Sequence, residues 1–270
     1  MDGTEWKIGR FELHVLVLAA QVKGVAIPVY FKVYEHKGVL SEQERINFIR
    51  KAFTLIELEG KLLIADREFI GKDWLSSLAD FGLNFVIRLR KRMYKKAIEA
   101  SGHSYDKLEK KALKKGYSQA IFEMEQHRYK LEMWRSNTKE EPIIYLITNL
   151  FLQKRVGKQY AKRWKIEYCF KHLKTNGFNL EDMSLTDLKK IRLMISLVIV
   201  AYILAVREGI IQQKKQKIRI INYKNGDKYP AVSIFRNGIQ AISNQIISYL
   251  DLDRYLSFIN SKKYSIVQIV

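Results

Sequence analysis

A single cysteine, Cys169, in 270 residues excludes an intramolecular disulfide and any zinc site built on paired thiolates, and it fits a reducing cytoplasm. The five histidines are scattered, with no H-E-x-x-H pair, which argues against a histidine-held metal. No G-x-x-x-x-G-K-[ST] loop occurs, so nothing marks a P-loop nucleotide site. Internal repeats and low-complexity tracts are also missing. The longest uncharged apolar run, Leu193 to Val206, is shorter than the roughly 20 residues of a membrane span. It reads as a helix buried in a core, and membrane insertion is not expected. Met1-Asp2-Gly3-Thr4-Glu5-Trp6 puts acids where a secretory leader would carry its basic region.

Acid is the other shortage. Against 48 Lys and Arg stand 28 Asp and Glu, a net charge of +20, with a pI near 9.8. An excess on this scale calls for a polyanionic partner: nucleic acid first, an anionic membrane surface second. The hydrophobic share, 47%, is ordinary for a globular chain with a real core, so the length makes one large domain or two modest ones rather than a disordered tail.

Taken in order, 11–20 and 25–34 are rich in β-branched and aromatic residues and read as an antiparallel hairpin, with Pro28 favouring an edge or a bulge. Ser41-Glu42-Gln43-Glu44 is a capping-box pattern ahead of Ile46, Ile49, Phe53 and Ile56 at helical spacing, which predicts a helix over 42–57. Residues 61–65 read as a buried strand that delivers Asp66 at its carboxyl end. A helix at 72–81 and a strand at 84–90 complete a βαβ unit with parallel strands. Beyond 91 a basic helical patch, 106–115, precedes alternating runs at 119–125, 128–135 and 142–148, which are expected to form a small sheet of their own. An apolar helix at 191–207, a basic stretch from Lys214 to Lys228 and a helix over 234–260 close the chain.

The most informative stretch is 160–174. On a helix Tyr160, Arg163, Glu167 and Lys174 fall within about 60° of one another, with Lys171 beside them. Ile166, Phe170 and Leu173 occupy an adjoining flank that can pack inward. One carboxylate among cations and a phenol can hold a metal ion against a phosphate; the same pattern also describes an amphipathic helix with a solvated basic face. Two-metal phosphoryl chemistry needs carboxylates from separate elements, and Asp2, Asp66 and Glu167 can provide them. Taken singly, each acid reads more readily as an ordinary residue, Asp66 as a turn or cap; their combination on a basic chain points to the site.

Asp-Gly-Thr-x-Trp-Lys-x-Gly from Asp2, Ala-Asp-Arg-Glu-Phe-Ile-Gly around Asp66 and Tyr-x2-Arg-x3-Glu-x6-Lys from Tyr160 together resemble the DDE transposases of bacterial insertion sequences, specifically the insertion-sequence-four family. The resemblance runs from residue 2 to Ser233-Ile234-Phe235-Arg236-Asn237-Gly238. It implies an α/β fold: a ribonuclease H-like mixed sheet flanked by helices, with a β-rich insertion before the catalytic Glu helix. The domain expectation is a catalytic core in two parts, 1–90 and 151–210, an insertion at 91–150 and a basic, helical C-terminal segment at 211–270.

The resemblance further implies Asp2, Asp66 and Glu167 as the catalytic, metal-binding triad, with Mg²⁺ or Mn²⁺ as cofactor. Tyr160, Arg163, Lys171 and Lys174 would be DNA contacts. Trp134 would stack on a flipped base, or else pack as a hairpin aromatic on the small sheet. Such enzymes nick transposon ends with metal-activated water, form and reopen a DNA hairpin, and join the ends to target DNA. The implied partners are double-stranded DNA, as transposon ends and target, and a second copy in a homodimeric synaptic complex, in the bacterial cytoplasm at the nucleoid.

In the family the first Asp lies inside the first strand, behind a sizeable DNA-binding region, whereas here it is the second residue. The expectation is therefore a truncated chain, with Asp2 loosely held at a frayed terminus and catalysis impaired. A non-catalytic basic DNA-binding protein and another ribonuclease H-like nuclease are the alternative readings.

Overall fold

Three antiparallel strands open the chain: β1 (Asp2–Ile8), β2 (Phe11–Val22) and β3 (Val25–Tyr34), in the order β1-β2-β3. The structure, a computed structural model, describes residues 1–249 apart from 154, 176, 216–218, 223–225 and 227. As the central strand, β2 is buried on both faces from Leu13 to Leu18, which accounts for its unbroken apolar run. Pro28 lies on the outer strand opposite Ala19, where the register shifts between Leu18 and Ala19. A residue without an N–H is tolerated at such an irregular edge.

Helix α1 (Glu42–Phe53) begins with both halves of the capping box, Ser41 to the Glu44 amide and Glu44 back to the Ser41 amide. It stops short of the expected Glu57, where Thr54 donates its hydroxyl to the Lys51 carbonyl. The βαβ unit follows as expected: β4 (Leu62–Ala65), α2 (Lys72–Asp80) and β5 (Asn84–Leu89), with β4 parallel to β5. Its packing joins Leu16 of β2, Ile49 of α1, Trp74 of α2 and Phe85 of β5 in one core.

Helices α3 (Lys95–Ala100) and α4 (Tyr105–Lys115) lead to β6 (Tyr117–Met124), β7 (His127–Arg135) and β8 (Ile143–Thr148). These strands do not form a sheet of their own. Val86 to Leu89 of β5 pair antiparallel with Tyr145 to Thr148 of β8, giving one mixed sheet in the order β4-β5-β8-β7-β6. Phe85, Val86, Ile87 and Leu89 of β5 are all buried, and a buried strand needs a hydrogen-bonded neighbour on both edges. Asn149 extends this join by donating to the Leu83 carbonyl at 2.8 Å and accepting from the Phe85 amide at 2.9 Å.

The expected helix at 160–174 is broken in three: α5 (Gly157–Tyr160), a 3-10 turn (Ala161–Arg163) and α6 (Trp164–Lys174). Ile166, Phe170 and Leu173 are buried as expected. The tighter turn lets Tyr160 face inward onto Val86 and Leu146 while Trp164 stays exposed.

Met1–Leu188 and Lys189–Val270 are two compact units. The second contains nearly all of α7 (Leu188–Lys215), the short antiparallel pair β9 (Ile220–Asn222) and β10 (Lys228–Pro230), and α8 (Ile234–Tyr249). The part of the expected C-terminal helix beyond Tyr249 lies outside the described residues. Helix α7 extends well past the apolar run, with a mean hydropathy of 2.1 in its most apolar 18-residue window, and by length and composition alone it is long enough to cross a membrane. It is not buried all round: Ile191, Ile195, Ile199 and Tyr202 are covered, while Leu193, Leu197, Val200 and Leu204 are exposed.

Helices α7 and α8 meet at two glycines. A Cβ on Gly238 would overlap the Ala205 carbonyl, and one on Gly209 would overlap the Ile234 carbonyl. Beside them Tyr202 stacks on Phe235 with ring centroids 5.3 Å apart. Gly238→Ala should therefore destabilise the protein by about 1–3 kcal/mol, the usual cost of forcing an extra carbon into a packed contact. Urea unfolding of the two proteins measures the difference, and an unchanged midpoint would contradict this packing.

Candidate active site

Three elements deliver the three expected acids to one place. Asp2 is the first residue of β1 and pairs with Val17 of β2. Asp66 follows the last residue of β4, and Glu167 lies in the first turn of α6. Between them stands Arg163, its side chain 8% exposed. Its Nη1 is 3.1 Å from Asp2 Oδ2, and its Nη2 is 3.8 Å from Asp66 Oδ2 and 2.6 Å from Glu167 Oε1. Tyr160 donates its hydroxyl to Asp66 Oδ1 at 2.9 Å. Lys174 donates to the Glu5 carbonyl at 2.6 Å and pairs with Glu181 at 3.3 Å. Lys171 borders the same open cavity as Asp2, Asp66 and Glu167. The four signature residues thus face one site, as the helical spacing predicts, although the helix is interrupted between them.

Asp2 is firmly held, contrary to the expectation of a frayed end. The Met1 backbone nitrogen donates to the Ile64 carbonyl of β4 at 2.8 Å, the Gly3 amide donates to Asp2 Oδ1 at 3.1 Å, and Arg163 clamps the other oxygen. The ladder to β2 starts at Asp2 itself, so backbone pairing reaches the metal-ligand candidate. The turn after Asp66 is fixed by the buried Arg45, which donates to the carbonyls of Glu68 at 2.9 Å and Ile70 at 3.1 Å. The approach to Tyr160 is set by a buried pair on β7. Lys130 and Glu132 lie 3.0 Å apart, Lys130 donates to the Gln153 carbonyl, and Glu132 accepts from the Val156 amide.

Crowding like charges in a half-dry cleft shifts their titration. Burial pushes the Asp2 carboxyl up to about 6, outweighing the opposite pull of Arg163. Glu68, which borders the same cavity, is pushed up to about 7 by burial and then by Asp2 and Asp66. Burial opposes the charge on Arg163, but Asp66, Tyr160, Asp2 and Glu167 more than offset it and hold its pKa above the ordinary value. Burial, followed by Asp66, lifts Tyr160 to about 12, so its phenol stays protonated and can donate.

Among the described residues no group of three His, Cys, Asp or Glu side chains is arranged to hold a metal ion; the three carboxylates close on the guanidinium instead. Their chemistry nonetheless suits a hard divalent cation, since three carboxylates that gather round one positive charge form the oxygen set that Mg²⁺ and Mn²⁺ favour. Trp134 is on β7 and does not border this cavity. It donates to Glu132 at 3.1 Å and meets Tyr117 edge-on at 4.8 Å; Arg155 lies 5.8 Å from its ring, and Gly157 packs against it.

Sequence reasoning passed over Glu68. The available signal was a second acid two residues beyond the strand-end Asp66.

Residues 13–204 match the family described as the transposase DDE domain, and the chain belongs to that family. The matched stretch contains Asp66 and Glu167, while Asp2 precedes it. No curated protein matches the chain. Among solved structures the chain is similar to the piggyBac transposase in a cryo-EM synaptic complex with hairpin DNA, at 11% sequence identity and a TM-score of 0.48. The similarity covers 97% of this chain and 55% of that one, so the chain spans about half the length of that transposase.

Removing the shared cation should expose how much the cluster depends on it. Arg163→Met leaves the buried Asp2 carboxylate and the partly exposed Asp66 and Glu167 without their cation and should cost about 3 kcal/mol, the low end for a broken buried pair, at pH 7.5 in the absence of divalent cations. The unfolded chain releases the Asp2 proton near the ordinary 3.8, whereas the fold retains it up to about 6. The stability cost of ionised Asp2 thus grows as pH rises between those values and is absent below them. The loss in Arg163→Met should accordingly be smaller at pH 5. Urea unfolding at the two pH values measures this, and an equal loss at both would contradict it.

Proposed function

We propose that the chain is the catalytic region of a DNA transposase of the insertion-sequence-four family, built on a ribonuclease H-like core, and that it performs metal-dependent phosphoryl transfer at transposon ends. The observation that carries this reading is the convergence of Asp2, Asp66 and Glu167 on one guanidinium. These three side chains would hold Mg²⁺ or Mn²⁺, and bound cations supply Lewis acidity at the attacking and leaving oxygens. Tyr160 fixes the Asp66 carboxylate through its hydrogen bond. Arg163, Lys171 and Lys174 neutralise phosphate charge beside the cut, as preorganised cations do in phosphoryl transfer.

In this reading the reaction runs as strand nicking, hairpin formation and transfer to target DNA. It takes place in a homodimeric complex with double-stranded DNA, at the nucleoid of a bacterial cytoplasm. The excess of 48 Lys and Arg over 28 Asp and Glu supplies the general attraction to the phosphate backbone.

Nicking of DNA that carries the sequences flanking the gene, with Mn²⁺ present, tests the reading. Asp66→Asn and Glu167→Gln should each reduce nicking to background while leaving DNA affinity in a gel-shift titration unchanged or raised, because each removes a negative charge. Nicking by either variant at the unmodified rate would sink the proposal. DNA binding without nicking by any form would favour a non-catalytic basic DNA-binding protein, and cleavage indifferent to the end sequence would favour another ribonuclease H-like nuclease.

A further inference from the structure

The cavity that holds the three carboxylates is bordered by a fourth, Glu68. The other lining charges are Asp2, Asp66 and Glu167 against Arg163, Lys171 and Lys174, and Lys174 is already paired with Glu181 at 3.3 Å. Ionised, Glu68 adds a further negative charge within reach of a dication.

Its position is built rather than incidental. Arg45, 4% exposed, fixes the backbone of the turn through the Glu68 and Ile70 carbonyls. The Glu68 carboxylate lies against Gly3, the neighbour of Asp2, and a Cβ on Gly3 would stand 3.3 Å from Glu68 Oε1. A second buried group aims at the same spot. His14 is 4% exposed, neither ring nitrogen has a hydrogen-bond partner within 3.5 Å although the Gly38 backbone, Glu5 and Glu44 act on it, and its Nε2 would lie 2.5 Å from that Cβ. Burying an imidazole with both nitrogens unbonded is costly, and the triad chemistry gives His14 nothing to do. Glycine at position 3 is what admits both side chains to this point on β1.

We propose that Glu68 is a fourth carboxylate of the divalent-cation site and that His14 positions it, donating from a ring nitrogen to the carboxylate when a cation is held. The inference rests on the reading of Asp2, Asp66 and Glu167 as a cation site. Its test is direct Mn²⁺ binding to the full chain without DNA, followed by the electron paramagnetic resonance signal of free Mn²⁺.

Glu68→Gln should weaken Mn²⁺ binding about 10- to 100-fold, the range seen when a group supporting a metal site is lost. Gly3→Ala, which keeps every carboxylate, should weaken it in the same direction by pushing His14 and Glu68 off their common point. The metal-free thermal midpoint of Glu68→Gln should be unchanged or higher, since a neutral amide relieves repulsion with Asp2 and Asp66. Undiminished Mn²⁺ affinity in Glu68→Gln and Gly3→Ala, alongside a loss in Glu167→Gln, would overturn the role of Glu68 and leave the triad reading intact. Equal Mn²⁺ binding by the unmodified chain and Glu167→Gln would overturn the triad reading itself. A fall in thermal midpoint with unchanged affinity would make Glu68 a structural residue and likewise overturn the proposal. Should Glu68→Gln not fold, Glu68→Asp decides: it keeps the charge on a shorter arm, and undiminished affinity there would count against a positioned ligand.

Discussion

Everything in the site depends on one guanidinium among three carboxylates. Asp2, Asp66 and Glu167 repel one another, and in a cleft that water only partly reaches that repulsion is far stronger than in bulk solvent. Arg163 meets Asp2 and Glu167 at hydrogen-bond distance and Asp66 at 3.8 Å, so a single cation keeps the charges close. A planar fork suits this role better than an ammonium group, because it presents separate donors to separate acceptors. In the proposed function the same arrangement serves chemistry at phosphate: what gathers round one cation would accept another, and a guanidinium released from carboxylates would meet a phosphate.

The scaffold is arranged to hold that cluster against its own repulsion. Strand β1 is locked to β2 along its length and tied to β4 by the Met1 backbone nitrogen. The turn after β4 is anchored by a buried arginine. The segment that carries Tyr160, Arg163 and Glu167 is anchored behind by the Lys130–Glu132 pair and ahead by Lys174 on the Glu5 carbonyl. Each acid thus comes from an element fixed by contacts independent of its own charge, as a site tolerant of only small misplacements requires.

What the sequence disclosed follows from the range of the interactions involved. Local rules found the capping box at Ser41, the βαβ unit that brings Asp66 to a strand end, the bulge at Pro28 and the shared face of Tyr160, Arg163, Glu167 and Lys174, because each is written within a few residues. The join between β5 and β8 is not local. It follows from the two-sided burial of Phe85, Val86 and Ile87, which a short apolar run does not reveal. Asp2 looked poorly held because its anchors, the Ile64 carbonyl and Arg163, are far away in sequence. Glu68 was passed over because an acid in a turn usually needs no explanation, and only the approach of its carboxylate and His14 to Gly3 sets it apart. For α7, counting uncharged residues missed the helix's full length and did not distinguish its covered face from its leucine-lined exposed one.

The most direct measurement of the central claim is the position of Mn²⁺ in crystals of the protein, located by anomalous scattering. The account predicts a peak bounded by the Asp2, Asp66 and Glu167 carboxylates, with the Arg163 guanidinium turned away from the position it holds among them. A peak elsewhere, or an unmoved guanidinium and no peak at saturating Mn²⁺, would contradict it.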